Sequence, residues 1–219
     1  IASWFEEYGL NVNNSFKINA NNTVEMSYNF YDDRRSQGIR IYDASGNAAD
    51  HDTHFFRTRY KGHFKSLQWD LNAYFQNVQY FRIVESYKKS YSMYHVNSLR
   101  NDIGIMGNLK FSSVRNSFSA GFDLKNGSVN GADEYQTSED IIKNIGELMH
   151  ASAFMYNQFD ITDKLSLDAA IHFDYVILNK SEFIVENPTD VSDLLVSYQS
   201  DISGNSWSTF SPKFSIQYK

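Results

Sequence analysis

The chain has 219 residues, a formal net charge of −6 and no cysteine. That acidic balance points away from nucleic acid, whose phosphates select basic surfaces, and the missing cysteines exclude a disulfide framework. No run of about eighteen apolar residues occurs, which excludes a transmembrane helix; a membrane barrel escapes that test, because lumen residues interrupt its apolar positions. Aromatics are abundant, with 15 Tyr, 17 Phe and 3 Trp. Proline is nearly absent, with 2 in the chain, as central strands require.

Period-two alternation predicts strands throughout. After a mixed lead-in over residues 1–10, the first strand covers 12–20 with Phe16 and Ile18 as its apolar pair. Asn21-Asn22 supplies a tight turn. Val24, Met26, Tyr28 and Phe30 then alternate with polar neighbours, and a long polar connection is expected over 32–53. The strand 56–64 sets Phe56, Thr58, Tyr60, Gly62 and Phe64 against Arg57, Arg59, Lys61 and His63. Those basic groups cannot be packed dry without partners, so they face water or acids. A turn at 65–67 leads to Trp69, Leu71, Ala73 and Phe75, in a strand expected to run to about Val84.

A loop rich in Tyr and Ser is expected over 85–97 and carries Tyr87, Tyr91 and Tyr94. Strands follow at 100–111 and 117–125, joined by a short turn at 112–116. Within a long connection over 126–147, Ser138-Glu139-Asp140 is the pattern of a cap for a short helix carrying Ile141, Ile142 and Ile145. The clearest hairpin comes next: 151–161, a turn at Thr162-Asp163-Lys164, then Leu165 to Tyr175 with Leu167, Ala169, Ile171 and Phe173 on one side and Ser166, Asp168, Ala170 and His172 on the other. A polar connection over 179–206 precedes a final strand at 207–219.

Nine strands result, longer than the five or six residues usual in globular sheets. Their connections alternate between short and long, and aromatic residues mark the ends of the apolar faces. Those are the marks of a bacterial outer-membrane barrel. The fold class expected is all-β, an antiparallel up-and-down transmembrane β-barrel, with this chain supplying about nine consecutive strands of a larger one. An odd, open sheet would leave unpaired edges in lipid, so residues 1–219 are read as a partial barrel domain. The sequence starts at Ile1, and neither plug domain nor signal peptide is recognisable in it.

The motifs carry a resemblance. Phe154-x-x-x-Gln158, a short turn, Asp174 at the end of the next strand and, after a long loop, Ser211-Pro212-Lys213 stand in the order and spacing found in TonB-dependent outer-membrane receptors. The Gly and Arg usual in the second of these strands are replaced by Ala170 and His172. The hairpin and final strand cover about a quarter of the chain. The aromatic-, Asn- and Lys-rich style looks like the Bacteroidetes branch. The resemblance implies a barrel of about 22 strands around an N-terminal plug. It also implies the outer membrane of a Gram-negative bacterium, and energy-coupled uptake of a scarce nutrient such as an iron chelate (siderophore) or haem. The implied partners are outer-membrane lipid, a TonB-type energy-coupling protein acting through a plug, and a small-molecule metal chelate. Neither nucleic acid nor a cofactor is among them. The alternatives are a passive porin or a structural or adhesive barrel; a soluble all-β binding protein is a third.

For ligand binding the candidates are Arg57 and Arg59, as an anion-attracting wall, and Tyr87, Tyr91 and Tyr94, as stacking groups at the outer mouth. The competing readings are pairing of the basic row with lumen acids or a plug, and aromatic anchoring at the rim. Asp50-His51-Asp52-x-His54 has metal-ligand chemistry, and Asp43-x-Ser45-Gly46-Asn47 is similar to part of a calcium loop. The first lies in an expected loop without a fixed scaffold and the second lacks the full ligand series and the terminal Glu, so no metal site is expected. No nucleophile–base–acid arrangement, phosphate-cradling glycine loop or spaced carboxylate pair stands out, so no enzyme activity is expected.

Overall fold

The structure is a computed structural model that describes residues 3–44 and 46–218. Ten strands form a single antiparallel sheet. They are β1 (Phe5–Asn19), β2 (Asn22–Ser36), β3 (Ala48–Phe64), β4 (Leu67–Tyr87), β5 (Tyr91–Ser112), β6 (Asn116–Tyr135), β7 (Ile141–Asp160), β8 (Leu165–Glu186), β9 (Ser200–Ile202) and β10 (Asn205–Tyr218). One helical turn, α1 (Asp193–Val196), interrupts the last long connection. Each long strand pairs with its neighbours in sequence, β10 closes on β8, and the three-residue β9 also pairs with β8. The nine expected strands are therefore the nine long ones observed.

The register is continuous in most pairs. In β7–β8 it shifts between Glu147 and Leu148, and in β1–β2 between Lys17 and Asn19. Unbroken register keeps each side chain on one face along the strand. At one end the turns are tight: Lys65 adopts φ 54, the left-handed conformation that lets two residues reverse a hairpin. Thr162 accepts the Lys164 and Leu165 amides through its hydroxyl at 3.2 and 3.0 Å.

The long connections are shorter than the sequence suggests. The stretches expected as loops at 32–53, 85–97, 126–147 and 179–206 are largely strand, and their tips lie at 37–47, 88–90, 136–140 and 187–199. The helix expected at 138–145 is absent, because Ile141, Ile142 and Ile145 pair with Glu186, Val185 and Glu182 in the β7–β8 ladder. Partners across the sheet override a capping pattern that has too few residues behind it to nucleate a helix. The sequence hid these extensions because apolar and polar residues mix on both faces there, as at Ala48-Ala49 and Ile141-Ile142, so the alternation fades.

Among the described residues no second layer covers the sheet. On β4 the apolar row is Leu67, Trp69, Leu71, Ala73 and Phe75, and it passes to Asn77 and Gln79. That band is about nine residues long at roughly 3.3 Å each, the length a tilted strand needs to cross hydrocarbon. The next 12 residues or so of β4 project beyond it. Within the band the apolar side chains are open, with Ile171 46% and Phe173 43% exposed, while on the opposite face Asp168 is 8% exposed. Among the described residues the buried apolar side chains are Ala48, Ala49, Ile142 and Val185. All four lie in the extensions, where connections fold back on the strands.

Candidate functional site

The polar face of the band begins with the basic row of β3. Arg59 lays its guanidinium on Asp70 of β4, Nε to Oδ1 at 2.8 Å and to Oδ2 at 2.9 Å, and its Nη2 also contacts Oδ2. Asn72 donates to Asp70 Oδ1 at 2.8 Å. Lys61 pairs with Glu25 at 2.6 Å, and Arg59 reaches the same carboxylate at 4.0 Å. Arg57 stands on the same face beside Ser27 and Tyr74. It is exposed and forms no hydrogen bond or ion pair among the described residues. Of the two candidate arginines, one is committed to the wall and the other is available.

The row continues with neighbours that satisfy one another. Lys125 meets Asp123 at 2.7 Å, and Arg100 donates to Asp102 at 2.7 Å. His150 and His172 flank Asp174 at 3.1 and 2.9 Å. Asp168 accepts Tyr156 Oη at 3.0 Å, Ser215 Oγ at 3.0 Å and Gln217 Nε2 at 2.9 Å, so three strands share one carboxylate.

The three candidate tyrosines divide. All lie on the arms of the β4–β5 hairpin and not in a loop. Tyr87 and Tyr91 pair with each other, on the face that continues the apolar band. Tyr87 is 62% exposed. Tyr91 donates its hydroxyl to Glu85 at 3.1 Å and meets Tyr42 edge-on at 4.8 Å. Tyr94 falls on the opposite, polar face and stacks on Tyr135 with centroids 5.0 Å apart.

Around that stack the extensions assemble groups that the sequence reading missed. Arg82 and Asp133 lie one row nearer the band, each paired with Val96. Arg82 donates to Gln37 at 2.8 Å, and its Nε is buried without a partner among the described residues. Tyr80 is a further row down and packs against His51 at 4.6 Å. Burial raises the Asp133 carboxyl above the usual range, against the opposing pull of Arg82. Burial likewise raises the Tyr94 and Tyr135 phenols, so both stay protonated donors. The signal for this cluster was the period-two spacing of Tyr80, Arg82 and Val84, in a strand expected to reach Val84 but with its phase unclear after Asn77.

Two buried carboxylates hold the long connections over the rim. Glu85, 3% exposed, accepts the Ile41, Tyr42 and Asp43 amides at 3.4, 2.7 and 3.1 Å. Burial works against its charge, but these amides and Tyr91 outweigh it and hold its pKa below the ordinary value. Asp140, fully buried, accepts the Thr189 amide at 2.9 Å and hydroxyl at 2.5 Å, and the Ser192 hydroxyl. Burial is again outweighed, and its pKa is strongly lowered.

The metal-like runs do not assemble. Asp50, Asp52 and His54 point to one face and His51 to the other. His54 is held by Tyr28 at 2.7 Å and Asp52 at 3.1 Å, and His51 by Asp33 at 2.9 Å. In the second run Ser45 lies outside the described residues, and Asn47 turns to the Glu85 backbone. No cluster of three or more metal-ligating side chains occurs among the described residues.

Neither a protein-family model nor a curated protein matches the chain. Solved structures do. The ferric citrate transporter FecA in its unliganded form aligns with a TM-score of 0.73 at 10% identity, over 99% of this chain and 34% of that one. The siderophore receptor PiuA from Acinetobacter baumannii aligns at 0.64 and 10% identity, over 98% and 39%. The ferric-catecholate import receptor Fiu from E. coli K12 aligns at 0.57 and 9% identity, over 97% and 40%. The chain thus has the fold of the barrel wall in TonB-dependent siderophore receptors, and spans about a third to two fifths of their length.

Proposed function

We propose that this chain is a stretch of the wall of an energy-coupled outer-membrane receptor that takes up a scarce nutrient, an iron chelate first among them. The observation that carries the reading is the contrast between faces of a one-layer sheet. Open apolar residues such as Ile171 and Phe173 alternate with a polar row in which carboxylates, amides and guanidinium groups satisfy each other. Lipid suits the first face and an aqueous lumen the second. The likeness to FecA, PiuA and Fiu supports the same reading, since each of those proteins is described as an iron-chelate transporter or receptor.

In this account residues 1–219 contribute wall and outer rim, and the plug and the contact with a TonB-type protein belong to other parts of the receptor. The ligand meets the rim first, where Tyr94, Tyr135, Arg82 and Asp133 combine stacking surface with charge and hydrogen-bond donors. Arg57, deeper along the same face, is an uncommitted cation on the route inward. Chemistry on the ligand is not part of this role. The test is growth of the bacterium on a ferric chelate as its iron source, with the gene deleted and restored. Loss of growth on one chelate, recovered by the intact gene but not by a form lacking the energy-coupling segment, is the expected result. Unchanged uptake without that segment would favour a passive porin.

A further inference from the structure

The polar face holds a second cluster of bases, at the end opposite the long connections. A pocket of about 370 Å³ opens there beside the short turns, lined by Lys61 and His63 of β3, Gln68 and Asp70 of β4, and Asn108 and Lys110 of β5. The register accounts for the set. His63, Gln68 and Lys110 form one row across three strands, and Lys61, Asp70 and Asn108 form the next. The turn residue Asn21 closes the edge, its carbonyl accepting the His63 amide at 3.0 Å.

Two of these charges are cancelled. Asp70 is taken up by Arg59, and Lys61 meets Glu25. The side chains of Lys110, His63, Gln68 and Asn108 form no hydrogen bond or ion pair among the described residues. Lys17 is a further uncommitted cation, one strand beyond Thr23 on the second row. What remains is a pocket of N–H donors with positive charge left over, which selects an anion. Lys110 and His63 stand two strands apart, about 10 Å from the usual spacing of adjacent strands, and Lys61 is one row off. Donors spread this widely outspan a phosphate, whose oxygens share one centre. They match carboxylates carried on separate arms of one molecule.

We propose that this pocket is a binding site for a polycarboxylate anion at the short-turn mouth of the lumen. It deepens the uptake reading and rests on it: the anionic chelate that enters past Tyr94 and Arg82 is held here on its way out. Lys110 and Lys61 supply charge, and Gln68, Asn108 and His63 donate hydrogen bonds that fix the arms. An acidic side chain from the receptor's own interior is the competing occupant, and it would leave no room for an added anion.

Isothermal titration of the receptor, as the cell assembles it, tests this with tricarballylate, which carries three carboxylates and no iron, and with inorganic phosphate. The wild type binds one tricarballylate in preference to phosphate. Lys110→Gln and Gln68→Leu each weaken that binding about tenfold, while Lys164→Gln, in the β7–β8 turn outside the pocket, leaves it unchanged. Each variant must still shift its gel mobility on heating, which reports the folded barrel. A receptor that restores growth on a ferric chelate but binds no tricarballylate, binds phosphate as tightly, or binds tricarballylate equally in K110Q and Q68L overturns the site alone. Binding that follows the pocket variants in a receptor that restores no growth upholds the pocket and overturns the uptake reading.

Discussion

Asp140 accepts both the amide and the hydroxyl of Thr189, at 2.9 and 2.5 Å, although 49 residues separate the two. A buried carboxylate at the foot of β7 thereby fixes the start of the connection that carries α1 and β9. Replacing it with Ala leaves the Thr189 and Ser192 donors unpaired, at a cost of roughly 1–3 kcal/mol. The expected result for D140A is rapid cleavage within 187–204 by limited proteolysis while the heat-resistant barrel persists. Equal cleavage of wild type and variant would contradict the latch.

The same lowered pKa sets a pH dependence. Because folding depresses the Asp140 carboxyl, its stabilisation is complete above the unfolded carboxylate range and is lost as pH falls through the folded value. Glu85 follows the same sign for the connection 37–47. Protease resistance of both connections is therefore expected to stay constant from neutral pH down to about 4–5 and to fall only in stronger acid, near and below ordinary carboxylate values. A loss of resistance between pH 7 and 6 would point to histidine instead.

Arg57 and Arg59 are expected to part company. Arg59→Ala strands Asp70, and the measured consequence is a lower unfolding temperature. Arg57→Ala removes no hydrogen bond or ion pair among the described residues and leaves that temperature unchanged, while ligand binding weakens by about tenfold, or about 1.4 kcal/mol. Binding unchanged in R57A would remove Arg57 from the ligand's route.

Tyr94 and Tyr87 make a matched pair for the rim. Tyr94→Ala breaks the stack on Tyr135, and a loss of about 0.5–1.5 kcal/mol in chelate affinity is expected from the lost ring. Tyr87→Ala, on the other face, leaves affinity as it was. Titration of the two variants with a ferric chelate measures both; equal losses would contradict the division of faces.

Much of this wall was legible in the sequence because period two needs only one row to persist. Leu165 to Tyr175, 56–64 and 100–111 alternate cleanly, and the pairing follows that phase. What was hidden lies beyond the apolar band. Around Asp133 and Tyr135 both faces are largely polar, so alternation carries little contrast, and the strand shows only through its partners. The three tyrosines shared one loop on paper, whereas unbroken register from Leu67 to Tyr87 assigns them to opposite faces. Arg59 and Lys61 find acids on neighbouring strands, and no local pattern announces which carboxylate crosses the ladder to meet a base.

The orientation of the wall is the point on which the rest depends, and the missing cysteines make it directly measurable. Single cysteines at positions 167, 171 and 173 and at 168 and 172, labelled with a fluorophore in vesicles, can be quenched from the lipid or from water. The account predicts lipid-phase quenching at Leu167, Ile171 and Phe173 and aqueous quenching at Asp168 and His172, in strict alternation. Aqueous quenching at all five positions, or the reverse alternation, would contradict it.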